Sequence, residues 1–237
     1  MPPAGNKYSI IFENEDMLVV DKPSGLLSIP DRQQSEVSLK ELLQKKFGDI
    51  IPVHRLDKDT SGIIVFARNA DFHRYLSMLF EQHQVEKYYM GLVGGCPSEL
   101  SGEIIAPIAE HPTRKGMMTI HRSGKPSHTG YLVQESNSSF SLILFRLHTG
   151  RTHQIRVHAK HIGHPIVCDP LYGDGKPVYL SAFKKGYKLG KYSEDKPIVS
   201  RLALHAARLV FDDHGTRREF EAPVPKEFRV LMKQLEG

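Results

Sequence analysis

Apolar and polar positions along the chain alternate in two periods, and the period changes mark the elements. Residues 8–12 and 17–20 read as two short strands. The turn at Asn14-Glu15-Asp16 separates them, and Pro23-Ser24-Gly25 follows the second. Residues 38–47 carry Leu39, Leu42, Leu43 and Phe47 on one helical face. The run Ile63-Ile64-Val65-Phe66-Ala67 is continuous and apolar. Asn69 can cap a helix over 70–83 whose stripe is Phe72, Leu76, Leu79 and Phe80. A strand over 87–94 ends in a Gly-Gly turn. Residues 140–147 form a largely buried strand, and Gly150 breaks the chain before a helix over 152–162 that stops at Gly163 and Pro165. Residues 204–212 and 218–222 make a hairpin around Asp213-His214-Gly215, and a helix over 226–235 buries Phe228, Leu231, Met232 and Leu235.

Strands and helices are mixed without regular alternation. That predicts an α+β fold: a single catalytic domain over 8–237 with a mixed, largely antiparallel central sheet, flanked by helices and loops and preceded by a flexible N-terminus at 1–7. No G-x-G-x-x-G or Walker sequence is present, which argues against a dinucleotide or nucleoside triphosphate site.

Composition narrows the class further. The chain has 237 residues, 40% of them hydrophobic and 25% charged, enough for an ordinary core. No stretch approaches the roughly 20 apolar residues that span a bilayer, and no signal peptide opens the chain, so no membrane role is expected. The two cysteines, Cys96 and Cys168, form no disulfide framework, in keeping with a reducing cytoplasm. A net charge of +5 suits a polyanionic partner such as nucleic acid. The segment 172–200 interleaves Lys176, Lys184, Lys185, Lys188, Lys191 and Lys196 with Tyr179, Tyr187 and Tyr192. It reads either as a solvated loop or as a surface for phosphates and unpaired bases. The basic stretch 111–130 reads as an RNA-gripping hairpin or as a polar connection. Thirteen histidines raise the question of a metal. His153, His158 and His161 lie on one predicted helix, but no HExxH or Cys/His spacing supports zinc, so no metal is expected.

Three segments carry candidate chemistry. In His54-Arg55-Leu56-Asp57-Lys58-Asp59-Thr60-Ser61-Gly62, Asp57 is set among basic residues beside the apolar run. A carboxylate there can act as nucleophile or base, or serve only as a cap or ion-pair partner. In Thr149-Gly150-Arg151-Thr152-His153-Gln154-Ile155-Arg156, polar residues crowd the start of a helix, where free N–H groups suit an anion and Arg151 can pair with Asp57 or hold a phosphate. The plain alternative is an exposed basic helix face. In Lys87-Tyr88-Tyr89, alternation puts Lys87 and Tyr89 on one face, so that one tyrosine can stack on a base or simply fill the core.

Together these segments resemble the RluA-type pseudouridine synthase family. The resemblance also takes in Asp21-Lys22-Pro23-Ser24-Gly25, Gly163-His164-Pro165-Ile166, Asp169, Tyr172-Gly173 and Arg201-Leu202-Ala203-Leu204-His205-Ala206, and covers roughly residues 8–230. It implies an RNA-modifying isomerase that converts uridine to pseudouridine in ribosomal or transfer RNA. Asp57 would be the essential aspartate, Tyr89 the tyrosine that stacks on the target base, and Arg151 the basic partner of the catalytic carboxylate. Arg55 matches a position implicated in opening the RNA. His54, Thr60, Gln154 and Arg156, in the same motifs, are the further candidates for contact with substrate. One departure is Cys168, where the family usually has glycine, which puts the local turn geometry in question. The small RNA-binding module that some relatives carry ahead of this domain is expected to be absent, and a monomer is the default.

The implied reaction breaks a carbon–nitrogen bond and forms a carbon–carbon bond with no redox change and no group donor, so its stoichiometry demands no cofactor. The target must leave the stack, because its reacting atoms are not free inside a helix. The competing readings are a non-catalytic RNA-binding protein on the same fold and a hydrolase using Asp57 with a histidine and a metal.

Overall fold

The computed structural model of the chain describes residues 8–183 and 194–234. In chain order it forms β1 (Ser9–Glu13), β2 (Met17–Lys22), α1 (Leu39–Phe47), β3 (Ile51–Pro52), β4 (Ser61–Ala67), α2 (Ala70–Glu81) and β5 (Glu86–Gly94). There follow β6 (Ser101–Ile105), β7 (Ile108–Glu110), β8 (Met118–Ile120), β9 (His128–Ser136), β10 (Phe140–Leu147) and α3 (Gln154–His161). A short 3-10 turn at Leu180–Ala182 precedes β11 (Leu204–Asp213), β12 (Thr216–Glu221) and α4 (Lys226–Gln234). The chain gathers into two compact units, one of residues 1–88 and 205–223, the other of 89–204 and 224–237.

In the first unit the central strand is β4, every residue of which is buried. It pairs antiparallel with β2 and β3 and parallel with β11, while β1 extends β2 and β12 extends β11. The sheet is thus mixed and largely antiparallel. α2 packs Phe72, Leu76 and Leu79 against Met17, Val19, Ile63, Val65, Leu209 and Phe211. Asn69 starts that helix by accepting the Phe72 amide at 2.8 Å. α1 starts with a capping box between Ser38 and Glu41. His214 and Gly215 join β11 to β12 with φ of 49° and 88°, the left-handed pair that matches the twist of a two-residue hairpin.

In the second unit β5, β10, β9 and β6 lie side by side in that order, with β9 antiparallel to both neighbours. β7 and β8 form a separate two-stranded hairpin whose Ile108 and Met117 pack with Val157 of α3 and Tyr172. α4 rests on β10.

The α+β expectation with a mixed, largely antiparallel sheet agrees with this arrangement. Several boundaries and strands differ. α3 begins at Gln154, not 152, because His153 sits in the left-handed region at φ 55° and cannot join the helical turn. α2 ends at Glu81, with His83 again left-handed at φ 57°. β6 and β9 were not predicted; Ser-Gly-Glu and His-Thr-Gly-Tyr dilute the alternation that marks a strand. The stretch 111–130 contains one arm of the β7–β8 hairpin. The N-terminal 1–7, Leu235 and most of the lysine and tyrosine residues of 172–200 lie outside the described residues. Among the described residues no helix is long and apolar enough to cross a membrane.

Candidate active site

β2 and β4 run antiparallel with Lys22 opposite Gly62, so the chain leaving β2 must run beside the chain entering β4. The Asp57 loop is therefore flanked by residues 22–28, and hydrogen bonds staple the two segments together. Lys22 is fully buried and donates to the carbonyls of Pro23 at 3.0 Å, Leu26 at 2.8 Å and Lys58 at 2.9 Å. A buried ammonium is costly unless its protons are satisfied, and these carbonyls accept three. Ser24 Oγ donates to the Asp59 carbonyl at 2.6 Å, and the Gly25 amide to that of Lys58 at 2.9 Å. Ser28 Oγ donates to the Leu56 carbonyl and accepts the Leu56 amide. Within the loop, the Thr60 amide closes a turn onto the Asp57 carbonyl at 3.2 Å. Asp57 itself is half-buried.

The far end of the loop is fixed by close approach. Gly62 has φ 110°, and a Cβ there would lie 2.2 Å from the Ala206 carbonyl oxygen, so only glycine lets β4 meet β11. Next to it, Ser61 Oγ and His205 Nδ1 lie 2.9 Å apart.

The basic residues around Asp57 divide by what they touch. Lys58 reaches an exposed ion pair with Glu36 at 2.7 Å. His54 accepts the Val65 amide on Nε2 at 3.0 Å, which puts its proton on Nδ1, and its ring stacks on Phe80 at 4.8 Å. Burial, reinforced by the Lys87 ammonium, pushes the His54 pKa down to about 3, so the imidazole is neutral at pH 7. Lys87 is itself buried over the Phe80 ring, and burial lowers its pKa. Arg55 is exposed, and among the described residues it makes no hydrogen bond or ion pair.

In the second unit, Gln154 organises the turn that carries Arg151. Its Oε1 accepts from Thr149 Oγ1 at 2.8 Å and from the Arg151 amide at 3.0 Å. Its Nε2 donates to the His128 carbonyl and to Thr129 Oγ1, both at 2.9 Å. All four bonding positions of a buried amide are thereby filled. Arg151 Nε donates to the Pro126 carbonyl at 3.2 Å. Thr129 Oγ1, already accepting from Gln154, donates to His158 Nδ1, and His158 Nε2 donates to the Ala106 carbonyl at 2.9 Å. That chain fixes a neutral His158 tautomer, in keeping with the burial that lowers its pKa.

Arg156 is buried and grips Asp169 with two parallel bonds, Nε to Oδ2 at 2.7 Å and Nη2 to Oδ1 at 2.8 Å. Asp169 Oδ1 also accepts the amides of Leu171 and Tyr172. The Tyr172 hydroxyl accepts the Met118 amide and meets His153 Nδ1, both at 2.8 Å, tying the β7–β8 hairpin to the start of α3. Cys168 adopts φ 58°, the conformation that glycine takes most readily. Its thiol donates to the Lys176 carbonyl at 3.1 Å, and burial raises its pKa to about 11. Tyr89 lies half-buried on β5, two residues beyond Lys87.

Three residues of the expected substrate-contact set are buried. Thr60 is 2% exposed, Gln154 2% and Arg156 4%, and the polar groups of Gln154 and Arg156 are committed to other protein groups. They hold the loops in shape, as does His54 through its bond to Val65. The α3 residues Arg156 and His158 face inward, so the idea of an exposed basic helix face fails there. Arg55, Asp57, Tyr89 and Arg151 keep some exposure. Sequence reading passed over Lys22 and Ser28 as site residues. Lys22 lies in a motif that was noticed, whereas nothing in the sequence marks Ser28.

Comparison with known proteins identifies the family. Residues 16–161, more than half of the chain and a range holding every candidate site residue, match the family model described as RNA pseudouridylate synthase. The chain is 32% identical to ribosomal large subunit pseudouridine synthase D of Haemophilus ducreyi, over 98% of this chain and 72% of that protein. It is 34% identical to the protein of the same name from Nitrosomonas europaea, over 95% of this chain and 64% of that one. The solved structure titled human RNA pseudouridylate synthase domain containing 1 is similar with a TM-score of 0.73 at 28% identity, over 94% of this chain and 86% of that one. By the span of the family match and the identity to these relatives, the chain belongs to the RNA pseudouridylate synthase family and is an enzyme of the isomerase class.

Proposed function

We propose that the chain isomerises uridine to pseudouridine in RNA of the large ribosomal subunit, using residues 8–237 as the catalytic domain. The observation that carries this reading is the stapled Asp57 loop: five hydrogen bonds join Lys22, Ser24, Gly25 and Ser28 to the backbone of Leu56, Lys58 and Asp59. A loop held this firmly presents one carboxylate in a fixed place, as covalent or acid–base chemistry on a bound sugar requires. Asp57 either attacks the sugar carbon as a nucleophile or takes the proton from carbon 2 of the sugar as a base. In this reading Tyr89 stacks on the uracil and Arg151 pairs with the carboxylate. Arg55, exposed on the same loop as Asp57, contacts the opened RNA. Unstacking a base costs a few kcal/mol. Stacking on Tyr89 returns ~1–3 kcal/mol of it, and phosphate contacts supply the rest.

The ribosomal assignment follows the names of the similar proteins of Haemophilus ducreyi and Nitrosomonas europaea. Mapping pseudouridine in total RNA from cells lacking the chain tests it. Loss confined to large-subunit RNA is the expected result. Loss confined to transfer RNA overturns the ribosomal assignment, and an unchanged map overturns the activity.

A further inference from the structure

Three adjacent strands of the second unit each bring one metal-binding side chain to the same spot. His128 opens β9, His148 follows β10, and Glu103 lies on β6. The sheet sets their neighbourhood: the His148 amide donates to the His128 carbonyl at 3.2 Å, and Glu103 is opposite Gly130, two residues along β9 from His128. His128 Nε2 lies 2.6 Å from Glu103 Oε2 and His148 Nε2 lies 3.9 Å from it. The two imidazoles are stacked 4.1 Å apart and nearly parallel. One ligand atom from each residue falls within 4.8 Å of the others.

Gly130 makes this convergence feasible. A Cβ at that position would lie 3.1 Å from both carboxylate oxygens of Glu103, so the absence of a side chain leaves the carboxylate room to cross β9 toward the histidines. The groups are only partly exposed, at 34% for His128, 32% for His148 and 56% for Glu103, so the cluster opens to solvent on one side.

We infer that Glu103, His128 and His148 form a binding site for a divalent transition cation of the zinc type. Two imidazole nitrogens and one carboxylate oxygen are the donor set that zinc accepts, at about 2.0–2.2 Å from each. The open side leaves a position for water. Binding displaces the proton that His128 Nε2 shares with Glu103, either to solvent or to Nδ1 of the same ring. Small side-chain rotations bring three ligand atoms, already gathered by the sheet, to coordination distance. We assign the site to stability, because His128 carries backbone bonds that support a neighbouring turn. Its place gives it a target: the His128 amide donates to Thr149 Oγ1 and its carbonyl accepts Gln154, so His128 is built into the support of the Arg151 turn.

The test uses the untagged full chain, stripped with a chelator and dialysed, then titrated with zinc chloride in a calorimeter alongside the His148→Gln and Glu103→Gln variants. Both positions are partly exposed, and a circular dichroism spectrum establishes that the variants are folded. Removing groups that merely orient metal ligands costs about tenfold or more in affinity, so loss of a ligand should cost at least that. The expected result is one zinc per chain, a thermal midpoint that rises with zinc concentration, and at least that loss in each variant. Zinc-edge absorption of the loaded protein should show a nitrogen and oxygen shell with two imidazoles. No saturable binding overturns the inference. Binding of equal affinity in both variants also overturns it, because it places the metal on other histidines.

Discussion

Ser28 and Leu56 exchange two hydrogen bonds between the segment that leaves β2 and the segment that enters β4. Ser28 Oγ donates to the Leu56 carbonyl at 2.8 Å and accepts the Leu56 amide at 3.1 Å. Both residues are buried, and Asp57 is the next residue along the chain. One hydroxyl thus holds both peptide units flanking Leu56, the second of which joins it to the proposed catalytic residue Asp57.

Ser28→Ala leaves a buried N–H and a buried C=O without this partner, each at a cost of ~1–3 kcal/mol. Urea denaturation should show a loss of at least roughly 2 kcal/mol with an unchanged slope. Turnover should fall more than substrate affinity, because the loop rather than the RNA surface is loosened. Unaltered turnover would separate the staple from catalysis.

Gly62→Ala should be far more damaging than an ordinary glycine substitution. The added Cβ would meet the Ala206 carbonyl oxygen at 2.2 Å and its amide nitrogen at 2.6 Å, both of them backbone atoms that cannot swing away. The parallel pairing of β4 with β11 must open. The expected outcome is a loss well beyond the ~1 kcal/mol typical of glycine–alanine exchange, read as a large drop in thermal midpoint or in soluble yield. Wild-type stability would show that the two strands separate more easily than their close approach implies.

His54 predicts a specific pH dependence. Its folded pKa of about 3 lies below the unfolded value of 6.5. Stability from the neutral ring is therefore full above pH 6.5 and is lost as pH falls from there toward 3. The slope approaches ~1.4 kcal/mol per pH unit. The His54 ring signals in NMR should not titrate between pH 8 and 5, and His54→Gln, which keeps an acceptor for the Val65 amide, should flatten the acid limb. A His54 midpoint near 6.5 would contradict the buried, neutral imidazole.

Arg156 separates a structural role from an RNA-binding one. Arg156→Met strands the carboxylate of Asp169, which is 0% exposed, and breaking a buried pair in this way costs ~3–5 kcal/mol. Denaturation should register that loss directly. A stable variant with weakened RNA binding would restore Arg156 to the substrate surface.

Much of the fold was legible because its signals are local. Asn69 before an apolar stripe announced α2, the run 140–147 announced β10, and Asp213-His214-Gly215 announced the last hairpin. β6 and β9 escaped because each carries glycine and polar residues where a strand pattern needs alternation. The start of α3 escaped because His153 takes a left-handed conformation that nothing in its type announces. Asp57, Tyr89 and Arg151 stood out through motifs. The supports of the site did not: Ser28 meets Leu56, and Arg156 meets Asp169, through the packing of segments that sequence spacing leaves unconnected. The cluster of Glu103, His128 and His148 was invisible for the same reason, since a search along one helix cannot find ligands gathered by three strands.

The most direct test of the central claim is turnover by Asp57→Asn on a large-subunit ribosomal RNA transcript, with pseudouridine counted after digestion. Asparagine keeps the shape of the side chain and removes the charge and the basicity that either role needs. The account predicts RNA affinity close to wild type and no pseudouridine above background. Turnover near the wild-type rate would contradict it.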